Sequence, residues 1–398
     1  MKKIVLSALA ALTIGTVAAS AGDVKFYTDG NGQVFTTAGE GRTEIKSKKT
    51  PVFSHADKLK FSGLTYIGYT YNDYKDGLTS DNVTAYQSDT SQFELRRAYF
   101  QLKAYLLDDP KSYYRVTFDM YQNTEKDMVV RAKYAYLYLN EVLPFTGVEI
   151  GLVHRPWHDY EEHNAWYYRN ISKVLIEAKN AGDLSNSADY GVNFKTKTKY
   201  FDSEIGLFNG EGYHATQATG TGMSLEWRAT AHLLGVNGKD KQTIKTYLDA
   251  SFFGQYNQEH KANAAAPSGF DDLIFTGLHT VYNQPEFLIS AQYVLSNDTA
   301  ENSTYVSKQA GSGYSVNGEY RLGDKKEYRA IARYDSWTDK KATSSAEKAD
   351  KAYIVGGVWE QSHNVQWVAN AIVTDNEAGS DREKYNGVAY MLTAEVKF

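Results

Sequence analysis

Phe93-Glu94-Leu95-Arg96-Arg97-Ala98-Tyr99-Phe100-Gln101-Leu102-Lys103-Ala104-Tyr105-Leu106-Leu107 is the stretch that decides the fold. Ala98, Phe100, Leu102, Ala104 and Leu106 fall on one side of a two-residue period, and Arg97, Tyr99, Gln101, Lys103 and Tyr105 on the other. Successive side chains of a strand point to opposite faces, so this segment presents one face suited to lipid and one suited to water. Tyr113–Tyr121 repeats the design, with Tyr114, Val116, Phe118 and Met120 against Tyr113, Arg115, Thr117, Asp119 and Tyr121. The link Asp108-Asp109-Pro110 between the two suits a tight turn.

The same texture runs from Lys58 to the end of the chain. Further strands are predicted at Lys58–Tyr71, Met128–Asn140, Gly147–Arg155, Asp189–Lys199, Tyr200–Asn209, Gly222–Leu234, Thr243–Tyr256 and Asp272–Tyr282. Glu286–Leu295, Gly313–Arg321, Tyr328–Trp337, Ala352–Glu360, Val365–Val373 and Val388–Phe398 complete a set of sixteen. Met128–Asn140 resists a face assignment, because Arg131 and Lys133 share the phase of Ala135, Leu137 and Leu139. Short polar intervals (Asp108–Lys111, Gln284-Pro285) contrast with long ones (Asn72–Gln92, Pro156–Ala188, Gln258–Asp271, Asp339–Lys351). Short turns at one end and long loops at the other are a feature of transmembrane barrels. The expected fold is therefore all-β, an antiparallel transmembrane β-barrel of about sixteen strands whose lumen is aqueous.

Composition agrees. The mean hydropathy of −0.52 would pass for a water-soluble chain, but a barrel hides from such a scale because every second residue faces water. Thirty-two Tyr, 14% aromatics and only 6 Pro suit strands that must not lose ladder hydrogen bonds. The absence of Cys removes disulfides, thiol catalysis and thiolate metal sites. A formal charge of −5, made more negative once Lys2 and Lys3 are lost, argues against nucleic-acid binding. Tyr69, Tyr71, Trp227, Trp337, Trp359 and Trp367 lie near strand ends and are expected in interfacial girdles.

Both ends carry signals. Lys2-Lys3, the apolar run Ile4–Val17 and Ala19-Ser20-Ala21 have the form of a secretory signal peptide, expected to span 1–21. Gly22–Asp57 is polar and irregular, with strand-like pieces such as Val24–Tyr27, and is expected to be an N-terminal periplasmic lead-in; the barrel is expected over 58–398. Tyr390, Leu392, Ala394, Val396 and Phe398 alternate with Met391, Thr393, Glu395 and Lys397. A final strand ending on Phe resembles the signal that the outer-membrane barrel assembly machinery reads, which makes that machinery an expected partner and the bacterial outer membrane the expected location.

Several short motifs then resemble one family, the phosphate-selective porin O and P group. Phe93-Glu94-Leu95-Arg96-Arg97-Ala98 is similar to its early strand with paired arginines, and Gly151-Leu152-Val153-His154-Arg155-Pro156-Trp157 to its Gly-Gln-Phe-Lys-x-Pro-Phe strand end. Glu161-Glu162 and Tyr168-Arg169 resemble the start of its inward-folding loop. Ala188-Asp189-Tyr190-Gly191-Val192, Phe208-Asn209-Gly210-Glu211-Gly212 and Ala332-Arg333-Tyr334-Asp335 resemble later motifs in the same order. The resemblance implies a sixteen-stranded homotrimer, with arginine ladders and lysine clusters for phosphate in some members. This chain has His154 where that family often has lysine.

The candidate pore-lining, anion-contacting residues are Arg97, Lys103, Arg115, Arg155, Arg169, Lys173 and Arg333. Arg and Lys can replace part of an anion's hydration shell, and Arg grips oxyanions bidentately. Pro156–Ala188 is expected to fold into the lumen, with Ile171, Val174, Leu175 and Ala178 at helical spacing, and to bring Arg169 or Lys173 toward Arg97, Arg115 and Arg155. Glu161 and Glu162 are the carboxylates available to offset that charge. His154, His158 and His163 lack the His-Glu-x-x-His spacing of a zinc site, so no metal or cofactor is expected. The expected function is passive diffusion of small hydrophilic solutes and ions past outer-membrane lipid. The alternatives are a barrel enzyme, for which no Gly-x-Ser-x-Gly or ordered triad is visible, and a surface-binding protein acting through its long loops.

Overall fold

The computed structural model describes residues 27–31, 33–44, 58–75, 89–122, 127–215, 222–235, 245–262, 269–298, 309–340, 349–377 and 382–398. The signal-peptide expectation for Met1–Ala21 lies outside them. Two units divide the chain, Met1–Asp57 and Lys58–Phe398. Within the first, β1 (Tyr27–Thr28), β2 (Val34–Phe35) and β3 (Thr43–Glu44) form a small antiparallel sheet in the order β2-β1-β3.

The second unit is a closed barrel in which every strand pairs antiparallel with its two neighbours. Its first eight strands are β4 (Leu59–Tyr74), β5 (Thr90–Ala104), β6 (Tyr113–Gln122), β7 (Met128–Leu143), β8 (Thr146–His154), β9 (Ala188–Lys197), β10 (Phe201–Phe208) and β11 (Ser224–Leu234). The remainder are β12 (Tyr247–Ala262), β13 (Phe270–Gln284), β14 (Phe287–Asp298), β15 (Gly311–Leu322), β16 (Tyr328–Asp339), β17 (Ala349–Glu360), β18 (Val365–Asp375) and β19 (Gly387–Lys397). All sixteen expected strands are present. The interval expected to be long at Gln258–Asp271 is shorter, because β12 runs on to Ala262 past a bulge and β13 begins at Phe270.

Closure leaves no unpaired edge, the condition for strands to stand in hydrocarbon. The outward face is apolar along the wall, with Ile67, Phe100, Phe118, Ile150, Ile205, Leu278, Ile289, Val355 and Leu392 all exposed. So continuous an apolar surface requires lipid rather than water. Tyr71 and Tyr390 stack on it at 6.3 Å, and Trp359 sits opposite Trp367 on adjacent strands, both exposed.

Two bulges reassign the faces that simple alternation mislabels. Tyr66 pairs with Arg97 but Ile67 with Leu95, which leaves Arg96 as the extra residue. Phe93 and Leu95 accordingly point out, and Glu94 and Arg96 join Arg97 on the inside. Thr117 pairs with Tyr134 but Phe118 with Ala132, which makes Lys133 the extra residue. The conflict in Met128–Asn140 ends there: a bulge changes the strand's phase, so Arg131 and Lys133 face inward on one side of it and Tyr134 and Tyr136 on the other.

The seam between β19 and β4 that closes the barrel runs from Gly387 opposite Tyr74 to Lys397 opposite Leu64, and Phe398 extends it. The Phe398 amide donates to the Gly63 carbonyl and the Gly63 amide to the Phe398 carbonyl, both at 3.1 Å. The Phe398 ring fills the space a side chain at 63 would need. Deleting Phe398 removes both bonds and the ring, so the heat-modifiable, membrane-inserted fraction should fall while export continues. Electrophoresis of boiled and unboiled membranes reads this out; an undiminished inserted fraction would count against the closing role.

Residues 155–187, between β8 and β9, turn into the lumen. A helix, α1 (Pro156–Asn164), opens the segment with Pro at its start, where a missing N–H costs nothing. The helical spacing at Ile171–Ala178 is not used as a helix: only Leu175–Glu177 forms a single 3-10 turn. Those apolar residues are instead buried against the inner wall. Trp157, Trp166, Ile171, Val174, Leu175 and Ile176 pack with Phe253, Phe275, Val294, Ile331, Trp337, Ile354 and Val368 from β12 to β18. Trp337 is therefore no girdle residue. It is 1% exposed, in phase with Arg333 and Asp335 on the inner face, with Gly182 of the loop against its ring.

Candidate pore constriction

The loop covers the apolar half of the inner wall and leaves a cavity of about 520 Å³ on the other side. Tyr66, Tyr99, Arg115, Thr117, Lys133, Tyr134 and His154 form one flank, and the loop contributes Asp159, Glu162, His163, Tyr167 and Arg169. Glu319, Arg321, Arg329, Glu360, His363, Glu395 and Lys397 are among the residues lining the opposite side.

Arg115 reaches Thr117 Oγ1 at 3.0 Å, Tyr136 Oη at 3.2 Å and His154 Nε2 at 3.1 Å, and its guanidinium lies 4.7 Å from the Tyr134 ring. Lys133 donates to Tyr99 Oη at 3.2 Å and sits over that ring. Among the described residues neither makes an ion pair with a carboxylate. Their charge is spread over ring faces and phenol oxygens, partners that leave a cation able to attract an anion.

The other expected cations have partners of their own, and of these only Arg169 lines the cavity. Arg97 shares Asp119 with Arg131, each at 3.0 Å. Lys103 rests on Tyr113 at 4.6 Å and stands opposite both Lys60 and Arg115 in the sheet. Arg155 is 2% exposed, held by Glu226 at 2.6 Å and Ser185 at 2.7 Å, with Asp189 at 3.7 Å. Arg169 lines the cavity but is clamped between Glu162 and Glu177, and Lys173 pairs with Glu177 at 3.0 Å. Arg333 is buried behind the loop, with Nε on Asp335 at 2.8 Å and Trp166 4.8 Å from its guanidinium. Arg115 and Arg169 thus share one opening, which Arg97, Lys103, Arg155, Lys173 and Arg333 do not line.

The offsetting carboxylates are Glu162, as expected, and Glu177, which sequence reasoning missed. Glu161 is turned away from the opening and accepts from Trp157 Nε1 at 2.7 Å and from Gln292. Burial pushes the Glu161 carboxyl up to about 7, against the pull of Arg333, Trp157 and Gln292. His158 lies in the same interior, where burial drives its imidazole down to about 3, hence neutral.

Lys133 was invisible to alternation because a bulge places it. Arg321 and Arg329 were visible, since they share the inward phase of Arg333, but drew no notice without a topology to gather them around one opening.

No protein-family model and no curated protein sequence matches this chain. Solved structures do share its fold. Salmonella typhi OmpF, in complex with daunomycin, superposes with a TM-score of 0.59 at 9% identity, over 85% of this chain and 97% of that one. The anion-selective porin from Comamonas acidovorans gives 0.57 at 13% identity, over 85% and 98%. The trimer form of OmpT, an outer membrane protein of Vibrio cholerae, gives 0.54 at 12% identity, over 85% and 99%. At such identities the likeness establishes a porin-type barrel fold.

Proposed function

We propose that this protein is a bacterial outer-membrane porin, a water-filled channel for passive diffusion of small hydrophilic solutes, with a preference for anions set where the inward loop narrows the lumen. The observation that carries the reading is the opening beside that loop, flanked by Arg115 and Lys133, which among the described residues have no carboxylate partner in an ion pair. The paired-arginine strand and ordered motifs favour kinship with the phosphate-selective porin O and P group, which places phosphate among the anions to be tested. In this reading 1–21 is cleaved on export, 22–57 is a periplasmic lead-in, and the barrel assembles as a homotrimer. An apolar outer wall and the trimeric form of one structural neighbour support the last point.

Arg115→Ala is the direct test. In planar bilayers separating unequal KCl solutions, the substitution should move the reversal potential toward cations and weaken block by phosphate. The expected change in permeability ratio is severalfold, because a low-dielectric opening amplifies one uncompensated charge. Permeability ratios that stay at the wild-type value would remove the anion preference from the proposal.

A further inference from the structure

His154, at the end of β8, is 4% exposed and fixed from both ring nitrogens. Nε2 lies 3.1 Å from Arg115 Nη1, and Nδ1 lies 3.2 Å from Glu149 Oε2. A guanidinium carries donors only and an ionised carboxylate acceptors only. Nε2 is therefore the acceptor, and the single ring proton sits on Nδ1, donating to Glu149. The neutral tautomer holds Arg115 against the wall.

The groups facing the imidazole are few. On β7, the Tyr134 and Tyr136 rings lie 4.1 and 5.4 Å from it. On β9, Asn193 donates to the His154 carbonyl at 3.3 Å, and Lys195 lies 3.4 Å from the other oxygen of Glu149. On α1, Asp159 Oδ1 is 3.8 Å from Nε2, with His163 3.5 Å beyond it.

We propose that His154 is a proton-operated positioning residue for Arg115, one that holds the guanidinium on the wall when neutral and releases it into the opening when protonated. A proton taken from solvent onto Nε2 consumes the lone pair that Arg115 uses. It also sets two cations 3.1 Å apart, and like charges at that distance repel strongly where water is scarce. Asp159 is the acceptor waiting for the new N–H. Arg115 keeps Thr117 and Tyr136 but loses its third anchor and leans into the cavity it already lines. Acidification should then raise anion preference, through the freed guanidinium and the added imidazolium together. The inference rests on the anion-channel reading above and adds its regulation.

The test is the chloride-to-potassium permeability ratio of the full-length protein in planar bilayers, stepped from pH 8 to about pH 5, the range in which imidazoles titrate. The wild-type ratio should rise about twofold or more in one protonation step. His154→Gln should show no step, since its amide supplies an acceptor for Arg115 and a donor for Glu149 at every pH, which also keeps the fold intact. His163 and His363 line the same opening, and His163→Gln and His363→Gln should each retain the step. A step that persists in His154→Gln, or a wild-type channel that conducts with no step, overturns the switch while leaving the channel reading standing. Absence of any channel conductance instead overturns the channel reading, and this inference with it.

Discussion

Replacing Arg155 with alanine is expected to lower the unfolding free energy of the barrel by about 3–5 kcal/mol, the usual cost of removing one partner from a buried ion pair. Arg155 Nε donates to Glu226 at 2.8 Å and Nη1 to Ser185 Oγ at 2.7 Å, and both charged side chains are almost wholly buried. Alanine would leave the Glu226 charge, with Asp189 beside it, in a site without a cation. It would also cut the tie between the start of the inward loop and Ser185 on its return leg. Denaturant titration in detergent micelles, followed by tryptophan fluorescence, measures the loss. The double substitution Arg155→Met with Glu226→Leu removes both charges and should recover much of it, since an apolar pair needs no desolvation to be repaid. A single substitution as stable as wild type would mean that the pair is not formed. Because Arg155 does not line the opening, its reversal potential should move less than that of Arg115→Ala.

The wall was readable from sequence because a barrel strand states its own orientation. In Arg97–Ala104 and Tyr113–Tyr121 the alternation alone separates lipid from lumen, and it needs no knowledge of neighbours. Strand order follows almost as directly, since each strand pairs with the next and the last, ending in Lys397, pairs with the first at Leu64. What alternation cannot register is a single extra residue. Arg96 and Lys133 each occupy a bulge, and a bulge is a property of two strands in register rather than of one strand's pattern.

The constriction was harder to read for a different reason. The inward position of residues 155–187 was legible, but the use of their apolar residues was not. Ile171, Val174, Leu175 and Ala178 have helical spacing, yet what they meet is an inner wall carrying Phe253, Ile331, Trp337 and Ile354. A lumen expected to be wet gives no cue that half of it is apolar, although the inward phase of Ile331 and Trp337 in Tyr328–Trp337 was open to inspection. The same gap hid Arg155's role: a cation beside the loop's start looks like a pore residue until Glu226, seventy-one positions away, is brought against it.

Trp157→Ala is expected to undock the loop while sparing the barrel. The indole stacks on Phe253 with centroids 3.6 Å apart and planes 4° from parallel, meets the Tyr160 and His279 rings, and donates to Glu161 at 2.7 Å. Removing a buried Trp side chain costs about 3–5 kcal/mol, which corresponds to a change of about two to four decades in the docking equilibrium. Hydrogen bonds to the wall would still hold α1: Tyr160 to Asp249 at 2.9 Å, Tyr247 to the Asn164 carbonyl at 2.8 Å, Arg228 to the Pro156 carbonyl at 3.1 Å, and Gln292 to Glu161. None of them belongs to the strand ladder, whose hydrogen bonds do not depend on the loop. The heat-modifiable band should therefore persist, while single-channel conductance rises and fluctuates as the loop leaves the apolar wall. Selectivity should relax as well, because Asp159, Glu162 and Arg169 leave the opening with the loop. Trp157→Phe keeps the stack but loses the indole donor to Glu161, and should fall between wild type and alanine. Should Trp157→Ala conduct at the wild-type level with the wild-type reversal potential, the loop would not be what narrows the lumen.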